Sequence, residues 1–178
     1  LQLPADAEDT VRLARVRAAL LAARAQRLQP ARDDKIVTGW NGLAITALAE
    51  ASVALDRPEL AVAAQRCATA LLDAHLVDGR LRRASLGGVV GESAAILEDY
   101  AALATGLASL YQLPGEQDWL TAAVRLLDTT MAHFADPEHP GRWFDTADDA
   151  EALVMRPADP VDGATPAGAS LVAEALLT

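Results

Sequence analysis

The sequence predicts an all-α fold, a fragment of about six helices in which outer and inner members alternate. Three observations carry this. First, three stretches are almost free of charge: residues 43–55 hold only Glu50, residues 101–111 hold none, and residues 164–177 hold only Glu174. Second, each follows a segment whose apolar residues step by three and four, as on one face of a helix. A helix apolar all round needs cover on every side, whereas one with a single apolar stripe faces water on the other. Third, the chain is 52% hydrophobic but only 4% aromatic, so Ala, Leu and Val fill the core. That composition suits close-packed helices better than a β-sandwich, which draws on β-branched and aromatic residues.

The elements follow in order. Asp6 and Asp9 are placed to cap and charge a first helix over 8–28, with Leu13, Val16, Leu20 and Ala23 on one face and Pro30 as its stop. A polar loop, Arg32-Asp33-Asp34-Lys35, leads through Trp40-Asn41-Gly42 into the first charge-poor helix. Asp56 with Glu59 resembles a capping pair, and Pro58 suits the first turn of an amphipathic helix over 58–76. Residues 77–96 contain Gly87, Gly88 and Gly91, with Leu81 and Val89-Val90 as short strand candidates. The second charge-poor helix is expected over 96–112, a turn at Pro114-Gly115, and another amphipathic helix over 117–134. A long polar connection, 135–163, holds Trp143-Phe144 and a candidate hairpin at Leu153-Val154-Met155. The last charge-poor helix spans 165–177, with Pro166 in its first turn.

Superposing the charge-poor helices at Leu48, Leu107 and Val172 gives a two-helix repeat with long insertions on one side. Such hairpins stack because one alone cannot bury its apolar face. An open solenoid and a closed α/α toroid both satisfy the pattern, and the Ala and Gly of the inner helices favour the toroid. A half-ring would leave an apolar edge exposed, so a homodimer through that edge is expected.

Bulk properties exclude several function classes. The 178 residues suffice for a single domain, 1–178, with a sizeable core. A net charge of −10 repels phosphate backbones and anionic membranes, so neither nucleic acid nor membrane is an expected partner. Cys67 is the only cysteine, which rules out an internal disulfide and fits a cytoplasmic protein. It lies on an apolar helical stripe and reads as a packed thiol. No apolar run approaches the roughly 18 residues of a bilayer span. No signal peptide is visible, and the chain lacks an initiator Met, as a processed chain or fragment would.

The long loops all precede inner helices and so gather on one rim, where free helix N–H groups also point. The carboxylates placed there, Asp34, Asp99 and Asp162, are the candidate catalytic acids, because two acids across a cleft can serve as acid and base on a glycosidic bond. Asp33, Lys35, Trp40, Asn41, Glu98, Tyr100, Arg156 and Ser170 are the candidate substrate-binding residues beside them. The same acids also suit helix capping, Lys35 suits an ion pair, and Trp40 and Tyr100 suit packing. His75, His133 and His139 lie late in outer helices or in a loop, and none falls at the start of an inner helix. A histidine shuttle is therefore not expected. No zinc spacing, phosphate loop or Ser/His/Asp arrangement is visible, so neither a metal nor a cofactor is expected.

Several ordered blocks resemble one family. They are Arg27-x-x-Pro30-x-x-Asp33-Asp34-Lys35 with Trp40-Asn41-Gly42-Leu43; Leu97-Glu98-Asp99-Tyr100-Ala101; and Gly141-x-x-Phe144-x-Thr146, Arg156 and Asp162-Gly163-Ala164-x-Pro166-x-Gly168-x-Ser170. They are similar to the thioredoxin-domain-containing family that includes the YyaL-like bacterial proteins and the animal spermatogenesis-associated protein 20. Ala167 and Ala169 depart from that family's usual Ser and Asn in the last block. The resemblance implies an (α/α)6 toroid like those of N-acylglucosamine 2-epimerases and six-hairpin glycosidases. It implies that this chain covers the middle-to-late half of the ring and lacks the N-terminal thioredoxin-like domain. Two functions stay open: a carbohydrate-active or carbohydrate-binding cleft on the rim, and a non-catalytic helical scaffold for protein partners.

Overall fold

The computed structural model describes residues 7–114 and 118–178. Asp6, Gly115 and Gln117, where the sequence suggests a cap, a turn and a helix start, lie outside them. The chain divides into two compact units, Leu1–Asp33 and Asp34–Thr178. The first is built on α1 (Ala7–Ala25), with Glu8 and Asp9 in its first turn and Arg24 in its last, each at the end whose dipole it complements. Beyond its end the Gln29 side-chain amide donates to the carbonyls of Arg24 and Arg27, at 2.9 and 2.8 Å.

The second unit is mostly helical. Helix α2 (Thr38–Ala54), α4 (Leu97–Tyr111) and α6 (Gly168–Leu177) form a row with α4 in the middle. Helix α3 (Pro58–His75) packs on α2, and α5 (Trp119–His133) packs on α4. The three charge-poor helices are therefore neighbours, as expected, but they are not equally covered. In α4, Leu97, Asp99 to Ala108 and Leu110 are all buried. In α2 burial follows one stripe, Thr38, Gly39, Gly42, Ile45, Ala49 and Ser52, while Trp40 and Val53 stand in solvent. In α6, Leu176 and Leu177 are exposed. The reason is position: α4 has α2, α5 and α6 around it, and the other two end the row.

Helices α2 and α4 approach backbone to backbone. A Cβ added at Gly42 would lie 2.5 Å from the Ala102 carbonyl carbon, and one at Gly106 would lie 2.9 Å from the Gly42 oxygen. Only glycine permits that separation, which fixes where the starts of the two helices meet.

Small antiparallel sheets correct the all-α expectation. Strands β1 (Ile36–Val37), β4 (Ala84–Leu86) and β5 (Val89–Val90) form a three-stranded sheet in the order β1-β4-β5. Strands β2 (Leu76–Val77) and β3 (Arg80–Leu81) form a separate hairpin. Both hairpins close with two residues at positive φ, Asp78-Gly79 (51° and 77°) and Gly87-Gly88 (59° and 82°), the turn that matches strand twist. The candidate hairpin at 153–155 does not form. Its residues lie exposed, and Val154 meets no neighbouring strand. Pro166 precedes α6 instead of opening it, with Ala167 as the capping residue. Among the described residues no helix is long and apolar enough to cross a membrane.

Candidate functional site

The starts of α2 and α4 are joined by one carboxylate. Asp99 lies in the first turn of α4, where its Oδ2 accepts the Ile96 N–H at 3.0 Å and so caps its own helix. Its Oδ1 accepts the Gly39 N–H at 2.8 Å from the first turn of α2. The close approach at Gly42 makes this reach possible. Arg83, just before β4, donates Nη1 to Asp99 at 2.9 Å and Nη2 to Glu98 at 2.9 Å. Asp99 is fully buried, and loss of hydration pushes its carboxyl above the usual range despite these donors.

Tyr100, the next residue, is also buried, and its ring lies 5.3 Å from that of Phe134. Its hydroxyl accepts the Leu81 N–H at 2.9 Å and the Arg80 Nε–H at 3.3 Å, so it anchors the β2–β3 hairpin. Arg80 continues to Asp149 through two bonds of 2.5 and 2.8 Å, and that pairing holds the Asp149 carboxyl below its usual range. His133 Nδ1 lies 2.7 Å from Asp148 and 3.6 Å from Asp149, a His/Asp group compact enough for a cation. Asp149 already has both oxygens engaged by the Arg80 guanidinium, so the donor set suits an ion-pair network better than a metal.

The other expected site residues separate into two groups. Asp162 is exposed; its Oδ1 accepts the Ala167 N–H at 2.8 Å, and this donor together with the Ser170 hydroxyl holds its carboxyl below the usual range. It caps α6. Asn41 donates to the Val37 carbonyl at 2.8 Å, and its oxygen faces the Cys67 thiol at 3.5 Å. The Arg156 guanidinium sits 4.1 Å from the Phe144 ring and donates to the His133 and Thr146 carbonyls at 3.0 and 2.5 Å, tying the long loop to the end of α5. Asp33, Asp34 and Lys35 are exposed.

Two clefts open at these helix starts. One, of about 420 Å³, is lined by Lys35, Trp40, Arg83, Ser85 and Ser93 among others, with Trp40 62% exposed. The other, of about 310 Å³, lies before α4 and α6 and is lined by Glu98, Asp145 and Asp159 with the backbone of 165–168. Arg83 and its partner Glu98 border one cleft each, so their ion pair divides the two. Asp159 falls among the polar residues expected before the last inner helix, whereas Asp145 is an acid that spacing alone does not single out. Asp145 Oδ2 accepts the Asp159 N–H at 3.1 Å.

One expectation about histidine is corrected here. His75 ends an outer helix, but its ring reaches the start of an inner one. Nδ1 lies 2.7 Å from the Thr38 hydroxyl, and Nε2 lies 2.9 Å from the Ser85 hydroxyl. The Thr38 proton is committed to the Arg82 carbonyl at 2.6 Å, so Nδ1 donates to Thr38 and Nε2 accepts from Ser85. Burial lowers the pKa of His75, which keeps this neutral tautomer. Nothing in the sequence signals the contact, because strand β4 that carries Ser85 is three residues long and is pinned by pairing with β1.

No family model matches the chain. It is 36% identical over 168 residues to spermatogenesis-associated protein 20 of Mus musculus and 35% identical over 168 residues to that of Homo sapiens. Each of these matches covers 89% of this chain and 21% of the relative. It is also 32% identical over 162 residues to uncharacterized protein B0495.5 of Caenorhabditis elegans, covering 87% of this chain and 22% of that protein. The chain thus spans about a fifth of the length of the curated relatives it matches.

Proposed function

The chain belongs to the spermatogenesis-associated protein 20 family, and we propose that it forms part of an α/α toroid whose rim binds a small polyhydroxylated ligand of the carbohydrate class. The observation that carries this is the exposed Trp40 indole beside Lys35, Arg83, Ser85 and Ser93 in a cleft of about 420 Å³. An aromatic face with hydroxyl and cationic groups around it matches a sugar ring, which has an apolar face and a polar edge. The row α2–α4–α6 backed by α3 and α5 supports the toroid reading, because inner and outer helices pair in that way in a ring.

Binding is preferred here to glycoside cleavage. Of the three acids expected to act on a glycosidic bond, Asp99 and Asp162 have oxygens engaged by helix N–H donors, so their proposed role is to position the rim. Carboxylates for acid–base work on a ligand would come from Asp34 or from Glu98, Asp145 and Asp159 around the second cleft. The same capping bonds favour the second reading, a helical scaffold for a protein partner. Indole fluorescence separates the two. A panel of mono- and disaccharides is expected to quench or shift the emission of Trp40, and Trp40→Ala to abolish the response with the melting temperature unchanged. A flat response across the panel at millimolar sugar overturns the carbohydrate reading in favour of the scaffold.

A further inference from the structure

We infer that Ser85, His75 and Thr38 form a nucleophile–base array at the floor of the Trp40 cleft, fitted to acyl transfer from small carboxylic esters. The array is graded in depth, with Ser85 7% exposed, His75 2% and Thr38 0%. The residue that borders the cleft is thus the nucleophile, and the groups that would activate and orient it stand behind it. Ser85 Oγ donates to Nε2 at 2.9 Å, which is nucleophile-to-base distance. Nδ1–H donates to Thr38 Oγ1 at 2.7 Å, and Thr38 passes its own proton to the Arg82 carbonyl at 2.6 Å, so the ring is fixed in the tautomer that leaves Nε2 as acceptor. Threonine takes the orienting place that an acid fills in the familiar triads, and the Arg82 carbonyl dipole supplies the polarity behind it.

The chemistry balances without any further reagent but water. Ser85 Oγ forms a bond to the ester carbonyl carbon as its proton moves to Nε2, and the carbonyl electron pair moves onto oxygen. That negative oxygen develops in a cleft whose lining includes Lys35 and Arg83, the Arg83 guanidinium being shared with Glu98 and Asp99. When the intermediate collapses the carbon–alkoxide bond breaks, and Nε2 returns its proton to the departing alcohol. Water then repeats the sequence in place of Ser85, releases the carboxylic acid and restores the hydroxyl. An ester on a sugar hydroxyl is the substrate class that fits both this chemistry and the Trp40 cleft. The array itself stands on its own geometry, whether or not a sugar binds.

A fluorophosphonate probe on the intact chain, with the adduct located by peptide mass spectrometry, tests the array directly. Labelling is expected at Ser85, lost in Ser85→Ala and reduced at least tenfold in His75→Gln. Thr38→Val is expected to reduce it and Thr38→Ser to restore it, which a packing role for the methyl would not do. Because His75→Gln disturbs the core, Ser85→Cys provides a second readout. Its new thiol is expected to react with iodoacetamide at neutral pH at least tenfold faster than the native Cys67, whose thiol is pushed up by burial. No adduct at Ser85, or a Ser85→Cys thiol no faster than Cys67, overturns the proposal.

Discussion

The starts of α4 and α6 carry the same device in opposite surroundings. Each has an aspartate whose oxygen accepts backbone N–H at the helix end: Asp99 at α4 and Asp162 at α6. Asp162 works locally, with its partners Ala167 and Ser170 a few residues away and solvent over it, and those donors lower its pKa. Asp99 reaches Gly39 on another helix and Arg83 before a strand, is sealed from water, and has its pKa raised by that burial. A cap in water is a local convenience. A cap in the core becomes a joint between elements, because every unmatched donor around it would then be stranded without solvent.

The largest test of this contrast is to remove the joint. Asp99→Ala leaves Arg83, Gly39 and Ile96 facing a void and is expected to cost about 3–5 kcal/mol in chemical denaturation, enough to unfold a marginal domain. A loss no larger than that of an ordinary surface change would show that the joint is replaceable. Next comes the approach that lets Asp99 reach α2. Gly42→Ala places a methyl against the Ala102 carbonyl and is expected to cost about 1–3 kcal/mol or more as the helices part. The Gly39 amide proton should then exchange with solvent faster, since its acceptor moves away.

A third test uses pH. The folded state holds a proton on His75 less tightly than the unfolded chain does, so below the ordinary histidine value of about 6.5 the unfolded state binds more protons. Stability is therefore expected to fall as pH drops from about 7 to 5 and to level off above 7. His75→Gln should lower stability at pH 7 and flatten that slope; an unchanged slope would mean that His75 is protonated in place. The smallest effect is expected at the exposed cap. Asp162→Asn should lower the melting temperature far less than Asp99→Ala, chiefly above the ordinary carboxylate range, because a lowered carboxyl pKa stabilises only while the group is ionised. Equal losses at the two positions would erase the distinction drawn between them.

Charge-poor runs and three-and-four spacing located the helices of the second unit to within a few residues at most boundaries. The glycines at 87 and 88 and the strand candidates at Leu81 and Val89-Val90 stood out, but the Asp78-Gly79 turn did not, and strands of two or three residues leave no periodicity to count. Pro166 misled, because a proline suits the residues before a helix as well as its first turn. In the candidate site, the blocks around Trp40, Asp99 and Asp162 stood out as polar residues at helix starts. Their different fates did not, since capping looks alike in sequence whether or not water reaches it.

What the chain alone determined is local: which segments coil, which faces are apolar, and where polar loops gather. Those follow from the 3.6-residue period and from turn chemistry, both of which act within a few neighbours. Only the tertiary structure decided that α4 would be enclosed, that Asp99 would bond Gly39 sixty positions away, and that His75 would lie between Thr38 and Ser85. Burial and the partners it demands depend on which elements stack, and the glycine contact between α2 and α4 settles that stacking through space.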